Sequence, residues 1–314
     1  MNNTDDKLKI SPDPGDAFKV KDRRGNIVPP DKIKRYGRKL KSLSPMSKVS
    51  PYIMKSRQDS SNYIRDKIRI DKLEEYIRAK KNEGLTNFSM MHILIAAYIR
   101  AVSQRPGLNR FIQGQRCYAR KNIEICLVIK KEMNLESPDT AVKAFFYPDA
   151  TVYDVYYELD RIVTEYRNAT GGSFDAAAGI LSFVPGLMLK FAIGTLRFMD
   201  YFGWLPRVLT KLSPFHGSFF ITSMGSLGIP PIYHHLYDFG NLPVFMSFGS
   251  KYRENVLLDD GSVEKRSYVD YTVVTDERIC DGYYFASGMK LLRSYLKSPE
   301  QLDHKPETVV VDVK

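Results

Sequence analysis

The chain has 314 residues, enough for one large domain or two small ones, and 43% of them are hydrophobic and 26% charged. That ordinary balance excludes a collagen-like, low-complexity or wholly disordered chain. A net charge of +11 directs attention to anionic partners, while three cysteines with no CxxC pair exclude a disulfide framework.

Residues 1–30 read as a disordered tail, because Pro12, Pro14, Pro29 and Pro30 break every pattern and charges alternate in sign. The polar start MNNTDDKLKISPD has no apolar core of the secretory kind, so a cytoplasmic protein is expected. Nine Lys or Arg and no acidic residue lie between Lys32 and Arg57. This run reads as a solvated basic arm or as an attraction for phosphate. No zinc-finger, RRM or helix-turn-helix signature accompanies it, so nucleic acid is not an expected partner.

The alternating SNYIRDKIRI at 61–70 predicts a strand, followed by a helix from Asp71 that Gly84 ends. Ser89 caps a nearly all-apolar helix of the kind buried in a domain centre, stopped at Arg105-Pro106-Gly107. His92, in its first turn, reads as a structural histidine. Strand-like runs follow at 116–130 and 140–148. An amphipathic helix then places Val152, Val155, Tyr156, Leu159, Ile162 and Val163 at three- and four-residue spacing.

Residues 169–216 read as an insertion, most apolar over 178–205. Lys190, Arg197 and Asp200 interrupt it and Pro185-Gly186 breaks it, so it falls short of the ~20 continuous apolar residues a spanning helix needs. Two helices packed over the domain are expected; a lid over an acyl pocket and an interfacial membrane helix are the alternatives. Farther on, GSFFITSMG, LPVFMSFGS, RENVLL and RSYVDYTVVTD carry strand signals, and Asp259-Asp260-Gly261 marks a hairpin turn between the last two. A final helix ends at Ser298-Pro299, leaving 301–314 as a C-terminal tail. This order predicts an α/β (α+β two-layer) domain over 31–300 with a mixed sheet.

Three blocks carry a resemblance. Thr275-Asp276-Glu277-Arg278-Ile279-Cys280-Asp281-Gly282 runs straight into a helix; Phe220-Ile221-Thr222-Ser223-Met224-Gly225 is followed by Asn241-Leu242-Pro243 and a strand; and Pro106-Gly107-Leu108-Asn109 follows the buried helix. In this order they resemble the catalytic domain of 2-oxo acid dehydrogenase acyltransferases, the dihydrolipoamide and chloramphenicol acyltransferase superfamily, over roughly residues 45–300. The HxxxDG motif of that family falls on Glu277-Arg278-Ile279-Cys280-Asp281-Gly282, so Glu277 stands in place of the histidine. The resemblance implies a mixed sheet with flanking helices, a homotrimer, and an active site between subunits that admits coenzyme A from one side and the acyl acceptor from the other.

It also implies roles. The hydroxyl that supports the tetrahedral intermediate falls on Thr222, and the catalytic set becomes Glu277, Asp281 and Thr222, with His234 and His235 as substitute bases. Thr222, Ser223 and Asn109 are the expected contacts to coenzyme A. A glutamate near its ordinary ~4.3 is roughly four units too weak to take a proton efficiently from a thiol near ~8.5. Burial would raise its pKa, but a carboxylate also repels a developing thiolate. Asp281 lacks the family's arginine partner, since Ser50 falls near that position, and Lys48, Arg278 or backbone donors are left to hold it.

The expectations are therefore acyl transfer between coenzyme A and an unidentified acceptor or, alternatively, an impaired trimeric homologue serving as a binding or scaffold protein. Acyl-coenzyme A is the substrate, no metal is expected, and no lipoyl group is expected on this chain. Peripheral membrane contact is the weakest of the partner readings.

Overall fold

The computed structural model describes residues 18–33, 36–130, 139–168, 179 and 183–313. Among these residues nine strands form two sheets. The small one has the order β1-β4-β3, from β1 (Gly37–Lys39), β3 (Arg110–Gln113) and β4 (Arg116–Arg120). The large one contains β2 (Ser61–Arg69), β5 (Ile123–Lys130), β6 (Asp139–Phe146), β7 (Phe219–Ser223), β8 (Val244–Leu257) and β9 (Val263–Asp276). Its spatial order is β2-β9-β8-β7-β5-β6. β7 runs parallel to β5 and β8, and the other pairs are antiparallel. This is the mixed sheet that the order of elements predicted.

Two runs expected as separate strands, LPVFMSFGS and RENVLL, belong to the single strand β8, whose register shifts between Phe248 and Lys251. Gly249 lies at that irregularity, and a Cβ there would meet Pro231 Cδ at 2.5 Å. The β8–β9 turn is where Asp259-Asp260-Gly261 placed it: Gly261 has φ +81°, and the Ser262 N–H donates to Asp260 Oδ1 at 2.9 Å.

One face of the large sheet buries the main core. Helix α3 (Met90–Gln104) brings Ile93, Leu94, Ile95, Ala97 and Ile99 into it, beside α4 (Val152–Asn168) and α7 (Gly282–Lys297). The helix is apolar nearly all round because no side of it faces water. His92 is part of its start: Ser89 N–H donates to His92 Nδ1 at 3.1 Å, the ring stacks on Phe88, and burial pushes its pKa down to about 4. The other face carries a smaller apolar cluster of Phe220, Phe245 and Val274 with Leu236 and Leu242 from the chain leading into β8.

Several expectations about the chain's margins change. The basic arm holds a helix, α1 (Pro45–Ile53), with Ser44 accepting from the Ser47 N–H at 3.2 Å, and it ends in a buried Arg57. Within the expected tail, residues 18–30 make bonds to one another and to the body: the Val28 N–H donates to Val20 O at 2.6 Å, and Tyr147 Oη donates to Val28 O at 2.5 Å. Residues 1–17 lie outside the described part. The C-terminal tail is fixed to the body, with Val310 N–H on Ser103 O at 2.8 Å and buried Asp312 on Arg110 Nε at 2.7 Å.

The insertion contributes α5 (Gly186–Phe202) and α6 (Arg207–Leu212) after α2 (Asp71–Asn82), α3 and α4; residues 169–178 and 180–182 lie outside the described part. Two helices were expected here, but α5 has no buried residue. Among the described residues no helix is long and apolar enough to cross a membrane.

Candidate functional site

The loop that carries Glu277 is held by a buried ionic frame. Arg278 clamps Asp276 with two bonds, Nε to Oδ1 at 2.8 Å and Nη2 to Oδ2 at 2.7 Å. Ser60 Oγ donates to Asp276 Oδ1 at 3.0 Å, and Arg57 Nε stands 3.8 Å from Oδ2. The remaining donors of Arg57 go to the carbonyls of Tyr237, Asp238 and Gly240, and Arg278 Nη1 donates to Met54 O at 3.0 Å. Buried charges persist only when paired and hydrogen-bonded in this manner.

Glu277 sits between these two paired residues but takes no part. Its N–H donates to Ser60 O at 2.8 Å, while its side chain is exposed and has no hydrogen bond or ion pair among the described residues. The backbone at this position is therefore fixed and the carboxylate is presented to solvent. Cys280, three residues on, has its thiol pKa pushed up to about 12 by burial, which makes it a poor nucleophile.

Asp281 is held by a backbone donor, as one of the expected alternatives had it. Its Oδ1 accepts from the Tyr284 N–H at 2.8 Å, which makes it the N-cap of α7. Arg278, another of those alternatives, is committed to Asp276. The Pro106–Asn109 block packs directly on this helix: Gly107 N–H donates to Tyr284 Oη at 2.9 Å, and a Cβ on Gly107 would meet the Tyr284 ring at 2.6 Å. Two of the three resemblance blocks thus meet in space, and Gly107 is required by the close approach.

Thr222 stands elsewhere. It pairs with Ser247 on β8, which pairs with Thr272 on β9, giving a row of three hydroxyls across the sheet. Val244 pairs with Thr275, so Glu277 lies five residues along the strands and two strands away from Thr222, roughly 15–20 Å. Within one chain these two residues do not meet.

His234 is nearer to Thr222. Its ring stacks on Phe245 at 4.1 Å, on the sheet face that Phe220 and Thr222 share by their two-residue spacing. Its Nε2 is buried without a partner among the described residues, and burial lowers its pKa, keeping it neutral. His235 packs edge-on against Tyr237 and is exposed. Asn109 joins neither group: its Nδ2 donates to Asn122 O at 3.0 Å, beside Arg120 and Asp312, and Leu108 next to it packs in the core on the opposite face of the sheet. The expected Thr222, Ser223 and Asn109 set is therefore not one cluster.

The sequence reading missed a further constellation. His216 Nε2 lies 3.1 Å from Asp200 Oδ1, its Nδ1 lies 2.8 Å from Ser213 Oγ, and Asp200 Oδ2 accepts from the Gly240 N–H at 3.1 Å. His216 is almost wholly buried, and its role is to tie the end of α5 to the body. Nothing in the spacing of Asp200 and His216 along the chain signals the contact. Asp200 also lines a cleft of about 270 Å³ with Lys55, Arg57, Arg197, Tyr201 and Arg278. There the two buried arginines are already committed, leaving Lys55 and Arg197 as cations without an ion pair among the described residues. No cluster of three metal-ligating side chains occurs among those residues.

A mixed sheet with flanking helices is the fold that this chain shares with a dihydrolipoamide acetyltransferase structure. The chain is similar to a probable dihydrolipoamide acetyltransferase from Listeria monocytogenes 4b F2365, with 17% identity, 86% of this chain and 99% of that one covered, and a TM-score of 0.52. It is also similar to dihydrolipoamide acetyltransferase of Azotobacter vinelandii at 14% identity, covering 83% and 93% with a TM-score of 0.47. A chloramphenicol acetyltransferase follows at 12% identity, covering 81% and 96% with a TM-score of 0.48. The sequence matches no family model and no curated protein.

Proposed function

We propose that the chain transfers an acyl group between coenzyme A and an as yet unidentified acceptor, at a site assembled from two copies of the chain in a homotrimer. The observation that carries this reading is the fixed but exposed Glu277 backbone position, framed by Asp276, Arg278 and Arg57, in a chain whose Thr222 lies too far away to share a site with it. A second copy would bring the Thr222 hydroxyl to the oxyanion that forms on the thioester carbonyl, and Glu277 to the attacking group. Donors placed at a developing oxyanion are the larger contribution in such sites, and the base adds to it. With a carboxylate as base, transfer would favour an acceptor whose proton is easily lost.

The test is acyl transfer from a panel of acyl-coenzyme A thioesters to thiol and hydroxyl acceptors, with Thr222→Val as the control. Transfer that falls about 100-fold or more in the variant supports the reading. No transfer and no binding of coenzyme A overturns it. The second reading, an impaired homologue serving as a scaffold, is favoured by the exposure of Glu277, whose carboxylate has no hydrogen-bond or ion-pair partner among the described residues to orient it. Activity that appears only in Glu277→His would select that reading.

A further inference from the structure

The α5–α6 hairpin points to a contact that acyl transfer does not require. α5 has a body-facing side, Leu189, Ala192, Leu196 and Met199, and an outer side on which Leu187, Phe191, Phe198 and Phe202 recur at helical spacing. That outer side is exposed: Leu187 is 83% and Phe191 79% accessible, and Trp204 and Val208 beyond the helix are above 60% at 61% and 68%. A surface helix ordinarily turns its polar residues outward, and here the arrangement is reversed. Apolar patches of this extent mark an interaction surface.

The charges say which kind. Between residues 183 and 213 the only acidic residue is Asp200, and it is turned into the body toward His216 and Gly240. The outward charges of α5 are therefore cationic, Lys190 and Arg197, while in α6 Arg207 is turned to buried Glu124 at 3.9 Å and Lys211 pairs with Asp31 at 3.5 Å. Arg197 also shares a cleft with Lys55 of the basic arm, so the two cationic regions adjoin. At the C-terminal end of α5, Phe202 stacks on Trp204 at 4.9 Å and Phe198 lies 6.0 Å from the indole. Gly203, at φ +72°, reverses the chain there and sets the indole beside the helix.

We infer that this hairpin docks the protein onto an anionic lipid surface. The Leu187–Phe202 stripe enters the apolar boundary, the indole sits at headgroup level, and Lys190 and Arg197 meet the lipid phosphates. A second copy seated symmetrically on the same face would bring the cations Lys190 and Arg197 of the two copies together, which disfavours that occupant. His216, Gly240 and Gln115 hold the anchored end: Tyr201 Oη donates to Gln115 Oε1 at 3.1 Å, and Gln113 Nε2 donates to Asp200 O at 3.1 Å. The inference stands independently of the acyl-transfer reading.

The test is flotation of the full chain with vesicles of phosphatidylcholine alone and of phosphatidylcholine with about one third phosphatidylglycerol, beside Phe191→Asp and Lys190→Glu/Arg197→Glu variants and the molar mass of each in solution. Co-flotation with the anionic vesicles only, reduced at least fivefold by both variants at unchanged molar mass, is the expected result. Three results overturn the inference: no flotation, equal flotation with neutral vesicles, or a lower molar mass for Phe191→Asp, which would show that a second copy covers the face.

Discussion

The loop at 276–282 and the hairpin at 183–213 expose opposite things. In the loop, the charges of Asp276, Arg278 and Arg57 are buried and paired, and two carboxylates are left outside, Asp281 as a helix cap and Glu277 with no partner among the described residues. In the hairpin the single carboxylate, Asp200, is taken inside, while large apolar side chains stay in water. Each region spends its one inward-turned acid on fixing backbone. The difference is in what the fixed backbone then presents: a polar group suited to chemistry in one case, an apolar surface suited to contact in the other.

That contrast breaks most visibly at Asp276. Replacing it in Asp276→Asn leaves Arg278 and Arg57 buried without their counter-charge, a change that costs about 3–5 kcal/mol when one partner of a buried pair is lost. Urea unfolding measures it; a loss under 1 kcal/mol would show that the frame does not hold the loop. Next comes the hairpin's anchor. Burial lowers the pKa of His216, so at mildly acidic pH the unfolded chain takes up a proton that the folded chain resists. Stability from this group is complete above its ordinary value near 6.5 and is lost as pH falls below it. Unfolding measured between pH 7.5 and 5.5 is expected to show that decline, with a flatter profile in His216→Asn. The smallest effect is at Asp281, whose side chain caps α7 from an exposed position: Asp281→Ala is expected to cost about 1 kcal/mol. A loss of several kcal/mol would mean that Asp281 carries a buried contact.

Much of the fold was legible in the residues. The alternation at 61–69, the amphipathic spacing of 152–163, the apolar run of α3 and the Asp-Gly turn each gave an element, because hydrophobic period and turn chemistry are local signals. α1 was missed because nine basic residues around it masked a short helix whose signals are only Ser44 and Pro45. β3 was missed because four residues carry too little period. At the candidate site, the order of the blocks singled out Glu277 and Asp281 as candidates, and the helix cap at Asp281 was within reach of sequence reasoning. The pairing of Arg57 with Asp276 was not, since the residues are more than 200 positions apart and nothing in either segment names the other. Neither was the contact of His216 with Asp200, only 16 positions away but unmarked by any spacing, nor the separation of Asn109 from Thr222, which only the packed fold decides.

The central claim is that Glu277 of one copy works with Thr222 of another. Its most direct test mixes two variants, Thr222→Val and Glu277→Gln, by co-refolding or subunit exchange, and follows acyl transfer from an acyl-coenzyme A thioester to a thiol. The account predicts that each variant alone is inactive and that the mixture recovers a measurable share of the wild-type rate, because some pairs of copies combine an intact Thr222 with an intact Glu277. A mixture that stays as inactive as its parents, when the wild-type protein is active, would contradict it.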